Sequence, residues 1–310
     1  MNHLWGIDLG GTKIECAVIT FDKKMGTENE FEILCRERIP TESAGGYQHV
    51  IGQVVKLVNL VADKMGYRPE KMGIGTPGAI EPSNKLMKNS NSTCLNGMPF
   101  EEDLQEALGI ELRMVNDANC FAIAETKLGI VQELNEDVET VFGVIMGTGV
   151  GGGIVVNGQA LIGRHGIAGE WGHNHLHDSG GMCYCGRVGC TETIISGPAL
   201  ERYYHSISHD KRPLEEIVSR YRVGRDHYAE ATMKRLYNMF GKGIARIINV
   251  LDPAIIVIGG GVGNIEEIYT LGVEEAKQYI FNDTLNTKFL KPKLGDSAGV
   301  FGAALLFSNH

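Results

Sequence analysis

No stretch of this chain approaches the roughly 18 uninterrupted apolar residues that a membrane span requires. Asn2, His3, Trp5 and Asp8 interrupt the apolar run with which a signal peptide would open, so neither a membrane nor a secretory context is expected. Basic runs are also missing, and the net charge is −9, which argues against nucleic acid or anionic lipid as a partner. Any anion this protein binds must therefore be met by local groups. There is no G-x-S-x-G, hence no hydrolytic serine elbow, and no Gly-Lys-Ser or Gly-Lys-Thr at P-loop spacing. Linkers, low-complexity tracts and multi-copy repeats are absent too. Four of the cysteines, Cys16, Cys35, Cys94 and Cys120, show no paired spacing, which fits a reduced, cytoplasmic protein. What remains is a 310-residue chain, 43% hydrophobic, able to bury a large core and long enough to favour two domains.

The other three cysteines are clustered. Cys183, Cys185 and Cys190 share one turn-rich loop, where three thiolates and one imidazole would satisfy tetrahedral zinc. Such a closed set reads as structural. Spacing alone leaves His173, His175 and His177 open as the fourth ligand. Glu170 lies one helical turn before His173 and Glu192 two residues after Cys190, so a metal here would fix both carboxylates.

Glycines supply the local means of binding an anion. An apolar run, Leu4 to Ile7, is followed by Asp8-Leu-Gly10-Gly11-Thr12-Lys13 and a second strand-like run from Ile14 to Ile19. The turn offers backbone amides, a hydroxyl and an ammonium to one phosphate chain, and Asp8 suits magnesium or its waters. The arrangement returns where the strand Thr140 to Met146 enters Gly147-Thr148-Gly149-Val150-Gly151-Gly152-Gly153 and continues as strand. Two such hairpins suggest an internal duplication. Gly147, Gly149 and Gly152 match G-x-G-x-x-G, but a dinucleotide fingerprint needs a helix after the glycines, and here a strand follows.

Apolar residues at helical spacing predict a helix over Tyr47 to Met65, and another from near Pro99 to Gly109. Met72 to Gly75 is a short strand leading into Gly75-Thr76-Pro77-Gly78, a turn that can bring backbone close to a ligand. A strand over Glu111 to Val115 runs into Asn116-Asp117-Ala118-Asn119, from which a helix, Cys120 to Leu128, departs. A long helix marked by Met233 to Ile248 ends at Asp252-Pro253, and the strand Ala254 to Ile258 delivers Gly259-Gly260-Gly261 to the start of a further helix, where the glycines could admit a base or ribose. Gly299 to Phe307 reads as a small-residue helix fit for close packing.

Asp117 is the candidate catalytic residue. It stands at the carboxyl end of a strand and the amino end of a helix, where open α/β sheets place ligands. An ionised carboxylate there suits a base that accepts a proton late in phosphoryl transfer, although the position equally suits a helix N-cap. Asn116, Asn91, Glu170, His173 and Glu192 add the acceptors and donors that a polyol needs.

Asp8-Leu-Gly-Gly-Thr-Lys13, Gly73-Ile-Gly-Thr-Pro-Gly78, Asn116-Asp-Ala-Asn119, Gly147-Thr-Gly-Val-Gly151, Ala168-Gly-Glu-Trp-Gly-His173, Cys183-Tyr-Cys-Gly186, Gly189-Cys-Thr-Glu192 and Gly259-Gly-Gly261 together resemble the ROK family of bacterial sugar kinases over the whole chain. The resemblance implies an α/β, two-domain actin-like (ribonuclease-H-like) ATPase fold with an interdomain cleft. The small domain is expected over residues 1–118, completed by a C-terminal helix at 297–310, and the larger domain over 119–296. ATP and magnesium are implied as cofactors, held by Asp8, Gly10, Gly11, Thr12, Lys13, Gly147, Thr148, Gly149, Gly260 and Gly261. Asp117 becomes the base activating the 6-hydroxyl of a hexose lined by Gly78, Asn91, Asn116, Glu170, His173 and Glu192. Structural zinc falls to His173, Cys183, Cys185 and Cys190. A homodimer without nucleic-acid or membrane partners is expected. Repressors of the family carry a winged-helix segment ahead of the first glycine hairpin, which here begins at residue 8, so a repressor is not expected. Within the family, Val115 to Cys120, Asn89 to Gly97 with Pro99-Phe100, and Glu170 to Asn174 resemble the fructokinase branch. Fructose is the expected substrate, with N-acetylglucosamine, mannose or glucose as alternatives.

Overall fold

The computed structural model describes residues 3–22, 30–134 and 136–308. In chain order the elements are β1 (His3–Leu9), β2 (Lys13–Asp22), β3 (Glu30–Pro40), α1 (Tyr47–Met65), β4 (Lys71–Thr76), β5 (Ala79–Ile80), β6 (Met87–Lys88), α2 (Phe100–Leu108), β7 (Glu111–Asn116), α3 (Asp117–Lys127) and β8 (Thr140–Met146). They continue with β9 (Val150–Val156), β10 (Gln159–Ala160), α4 (Glu192–Ile195), α5 (Gly197–Ser208), α6 (Leu214–Val223), α7 (His227–Leu251), β11 (Ile255–Gly259), α8 (Leu271–Lys277), β12 (Lys288–Leu290) and α9 (Ala298–Ala304).

Two five-stranded sheets have the same order, β3-β2-β1-β4-β7 and β10-β9-β8-β11-β12. In the first, β2 pairs antiparallel with β1 and β3, while β4 pairs parallel with β1 and β7. In the second, β11 pairs parallel with β8 and β12. The duplication inferred from two glycine hairpins is thus present as a repeated sheet.

The chain packs as two compact units, Met1–Asp137 with Gly153–Ala168 and Lys293–His310, and Val138–Gly152 with Gly169–Pro292. The expected boundary after residue 118 falls inside α3, and the physical reason α3 stays with the first unit is α9. A side chain on Gly302 would lie 1.8 Å from the carbonyl oxygen of Cys120, so α9 and α3 meet backbone to backbone. Gly6 on β1 and Gly73 on β4 meet α9 in the same way, at 2.3 Å from the Val300 oxygen and 1.8 Å from the Ala303 oxygen. Only small residues permit this approach, which is why Gly299 to Ala304 contains few others.

α1 forms as its spacing predicts: Val50, Val54, Leu57, Val58 and Val61 line its buried face, and Gly66 at φ 77° ends it. Truncating one of these, for example Leu57→Ala, would cost about 2–5 kcal/mol. α7 stops where Asp252 turns left-handed before Pro253.

Two local expectations are corrected. The helix after β7 begins at Asp117, not Cys120, because the Asn116 side chain accepts from Ala118 N and caps it. Gly259-Gly260-Gly261 leads into a short 3-10 turn, Val262–Asn264, and not directly into a helix. Gly260 sits at φ +83° with Met146 O only 2.3 Å from where a side chain would begin, so the turn is forced by close packing against β8.

Candidate functional site

In the first unit, the hairpin between β1 and β2 is braced from one side by the segment after β3. Thr41 donates its hydroxyl to Gly10 O at 2.6 Å and its N–H to Thr12 O at 3.0 Å, while Ser43 donates to Gly11 O at 3.3 Å. Gly11, Thr12 and Lys13 remain exposed. Neither Gly10 nor Gly11 adopts a positive φ, so the glycines are not there for backbone conformation. Above Gly11 the space is open, the nearest atom being Ser92 Oγ at 3.9 Å. An open glycine without conformational need is what close approach of a ligand asks for.

Asp8, next to last in β1, lies against the start of α9, its Oδ2 2.9 Å from where a Gly299 side chain would begin. Burial, and next the neighbouring Asp117 carboxylate, push its carboxyl up to about 7. Such a carboxylate, short of positive charge, suits the magnesium expected with a nucleotide. Glu15 was missed in the sequence. It is 2% exposed, paired with Arg36 and Arg38 and accepting from Ser297 Oγ at 3.1 Å. The available signal was a lone carboxylate inside the apolar strand Ile14 to Ile19.

Asn116, Asp117 and Gly78 come together at the end of β7. Asn116 Nδ2 donates to Gly78 O at 3.3 Å, while its Oδ1 caps α3. Asp117 is exposed, with Oδ1 accepting from Ala118 N at 2.8 Å, so it is the first residue of the helix and not its cap. Gly78 must be glycine: it sits at φ +84°, and a side chain would begin 2.5 Å from Lys88 O and 2.7 Å from Ser90 N. The loop beyond β6 is closed by a side-chain amide. Asn96 accepts from Ser90 N at 2.8 Å and donates to Ser90 O at 3.0 Å, leaving Asn91 exposed between the buried Ser90 and Ser92.

In the second unit, the hairpin between β8 and β9 is braced by a carboxylate. Glu192 Oε2 accepts from Val150 N at 3.0 Å and lies 2.6 Å from where a Gly149 side chain would begin. Thr148 is exposed, and Gly147 O accepts from Gly197 N at the start of α5. Gly261 has nothing within 4 Å of its missing side chain, and its amide nitrogen lies 4.0 Å from where a Gly147 side chain would begin. Glu170 precedes a 3-10 turn over Trp171–His173, which is locked to β9 by Trp171 Nε1 donating to Gly151 O at 2.9 Å. Burial pushes the Glu170 carboxyl up, opposed by His173 and reinforced by Glu192.

His173, Cys183, Cys185 and Cys190 converge, with one donor atom from each lying within 4.8 Å of the others. His173 Nδ1 is 3.7 Å from Cys183 Sγ, and Cys185 Sγ is 3.5 Å from Cys190 Sγ. Tetrahedral bonds of about 2.3 Å give ligand separations of roughly 3.5–3.8 Å, so both donor type and spacing fit zinc. The histidine choice that spacing left open is resolved: His175 pairs with Asp178 and His177 with Ser179, whereas His173 turns Nδ1 to the thiols and Nε2 to the Tyr184 hydroxyl at 3.0 Å. Cys190 stands two residues before Glu192, so the cluster and the second hairpin are braced through one short segment.

No helix among the described residues is long and apolar enough to cross a membrane. The sequence pattern of the ROK family matches residues 4–310. An N-acetyl-D-glucosamine kinase from Pasteurella multocida is 33% identical over 314 aligned positions, covering 98% of each chain. The crystal structure of a ROK hexokinase from Thermus thermophilus superposes with a TM-score of 0.83 at 31% identity, over 98% of this chain and 97% of that one. A ROK family glucokinase from Streptomyces griseus, solved with glucose and AMPPNP, gives a TM-score of 0.75 at 25% identity, over 98% and 99%.

Proposed function

The chain belongs to the ROK family and has its actin-like ATPase fold, and from that premise we propose that it is an ATP-dependent hexose kinase acting on the 6-hydroxyl of N-acetylglucosamine. One observation carries the choice of sugar: relatives alike over 98% of both chains are N-acetyl-D-glucosamine kinases. The fructokinase expectation, drawn from short motifs around Asn91 and Trp171, has no counterpart among those relatives and gives way to the acetamido sugar.

In this reading Asp117 takes the proton of the sugar's 6-hydroxyl as that oxygen bonds to the γ-phosphorus, and the bond to the bridging oxygen breaks with its electron pair leaving on ADP. Gly78, Asn91, Asn116, Glu170, Glu192 and His173, whose Nε2 would exchange the Tyr184 hydroxyl for one of the sugar's, accept and donate to the sugar hydroxyls. Gly10 to Lys13 and Gly147 to Gly149 offer amides and hydroxyls to the phosphates, and the open backbone of Gly261 offers room for the nucleoside. Asp8 would hold magnesium, which neutralises phosphate charge when bound. His173, Cys183, Cys185 and Cys190 would hold a structural zinc that keeps Glu192 in place.

The test is kcat/KM for N-acetylglucosamine, glucose, mannose and fructose with ATP under one set of conditions. N-acetylglucosamine should lead fructose by at least about tenfold, which corresponds to 1.4 kcal/mol of transition-state binding. A lead for fructose would restore the fructokinase reading, and no turnover with any hexose would remove the kinase reading.

A further inference from the structure

Ser92 follows the exposed Asn91 in the clasped loop, and its side chain approaches Gly11 of the first glycine hairpin. It is 6% exposed, and its hydroxyl is buried with no hydrogen-bond partner among the described residues. The backbone around it is satisfied: its N–H donates to Ser90 Oγ at 3.1 Å and its carbonyl accepts from Leu95 N at 2.9 Å. Ser92 Oγ is the nearest atom to the open face of Gly11, 3.9 Å from where a side chain there would begin. A buried hydroxyl left unpaired loses its hydration with nothing in return, and such a group in a folded protein calls for an explanation.

Its position supplies one. On the reading that Gly10 to Lys13 grip phosphates and Asn91 grips the sugar, a phosphoryl group passing from one to the other crosses the space beside Ser92. We propose that Ser92 is a further catalytic residue whose hydroxyl donates a hydrogen bond to a non-bridging oxygen of the phosphoryl group in transfer. It gives up no proton: that of the sugar hydroxyl goes to Asp117, and the leaving electron pair stays on ADP. Charge spreads over the non-bridging oxygens in the transition state, so the donor counts for more there than toward either bound substrate. A donor committed to no protein acceptor is ready for this without breaking a bond.

The experiment uses Ser92→Ala and Ser92→Cys in the full chain, with ATP and N-acetylglucosamine, measuring kcat, both KM values and Tm. The proposal predicts a kcat lower by about 10- to 100-fold in both variants, KM values within about threefold of the parent, and a Tm unchanged or higher, since nothing in the protein loses a partner. A kcat within threefold of the parent would overturn it. So would a fall in Tm with the loss appearing mainly in KM, which marks a packing role. If the parent protein phosphorylates none of the hexoses, the functional reading itself has failed, whereas an active parent with fully active variants removes the role of Ser92 alone.

Discussion

The two glycine hairpins look interchangeable in sequence and are held in different ways. The first, Gly10 to Lys13, is braced by neutral groups: the Thr41 and Ser43 hydroxyls reach its carbonyl oxygens and leave the space over Gly11 open. The second, Gly147 to Gly149, is braced by a carboxylate, with Glu192 taking the Val150 amide and filling the space over Gly149. Equal glycine content therefore has two causes. Nothing crowds Gly11, which leaves room for the ligand proposed there, and Gly149 is small because Glu192 is already there. The second hairpin is consequently linked to the thiol cluster through Cys190 to Glu192.

The largest expected effect lies on the side of the first hairpin. Asp117→Asn keeps the side-chain shape and removes the proton acceptor, so kcat should fall about 100-fold or more while sugar binding, read by calorimetry, stays within a few-fold. Near-parental turnover would show that the proton leaves by another route.

Next in size is the metal. Purified protein should hold about one zinc per chain, and Cys183→Ser or prolonged chelation should weaken N-acetylglucosamine binding by about 10- to 100-fold through release of Glu192. Because Glu192 also braces the second hairpin, nucleotide affinity should fall too, by less. Unchanged affinity for both ligands in zinc-free protein would dissolve the link between cluster and hairpin.

A smaller effect separates the hairpins directly. Gly149→Ala places a methyl 2.6 Å from Glu192 Oε2, which must shift, and both sugar and nucleotide KM should rise by about tenfold. Gly11→Ala meets only ordinary contact at 3.9 Å, so Tm should hold and only the nucleotide KM should rise. Identical kinetic profiles for the two variants would erase the distinction.

The smallest effect is on stability against pH. Asp8 ionises with difficulty in the fold, at about 7 and so above its unfolded value. Between about pH 4 and 7 the folded state keeps a proton that the unfolded chain has released, and this group's contribution to stability falls as pH rises through that window. In nucleotide-free protein, Asp8→Asn should therefore raise Tm by about 3 °C at pH 8 and have no effect at pH 4. Equal shifts at both values would show that burial of the carboxylate is relieved some other way.

Much of this was legible in the chain because it rests on short-range signals. The spacing of Val50 to Val61 specifies α1, the Gly-Gly-Thr-Lys13 turn with its flanking apolar runs specifies the first hairpin, and three cysteines in one loop specify a thiol cluster. What stayed hidden depends on contacts between distant segments. Nothing near Glu192 says that it accepts from Val150, nothing near His173 excludes His175, and the buried pairing of Glu15 with Arg36 and Arg38 is set by strand register. The capping of α3 by Asn116 and not Asp117 is a choice between adjacent residues of equal capping ability, which composition does not decide. The proposed sugar departs from the fructose expectation for a similar reason. Asn89 to Phe100 forms a clasped loop around Asn96, so that motif serves the fold of the loop itself.

The most direct test of the account is the product itself. Incubation with ATP and N-acetylglucosamine carrying oxygen-18 at position 6, followed by mass spectrometry and phosphorus NMR, should yield ADP and N-acetylglucosamine 6-phosphate with the label bridging carbon and phosphorus. Release of inorganic phosphate without a phosphosugar, or a phosphoryl group at another position, would contradict it.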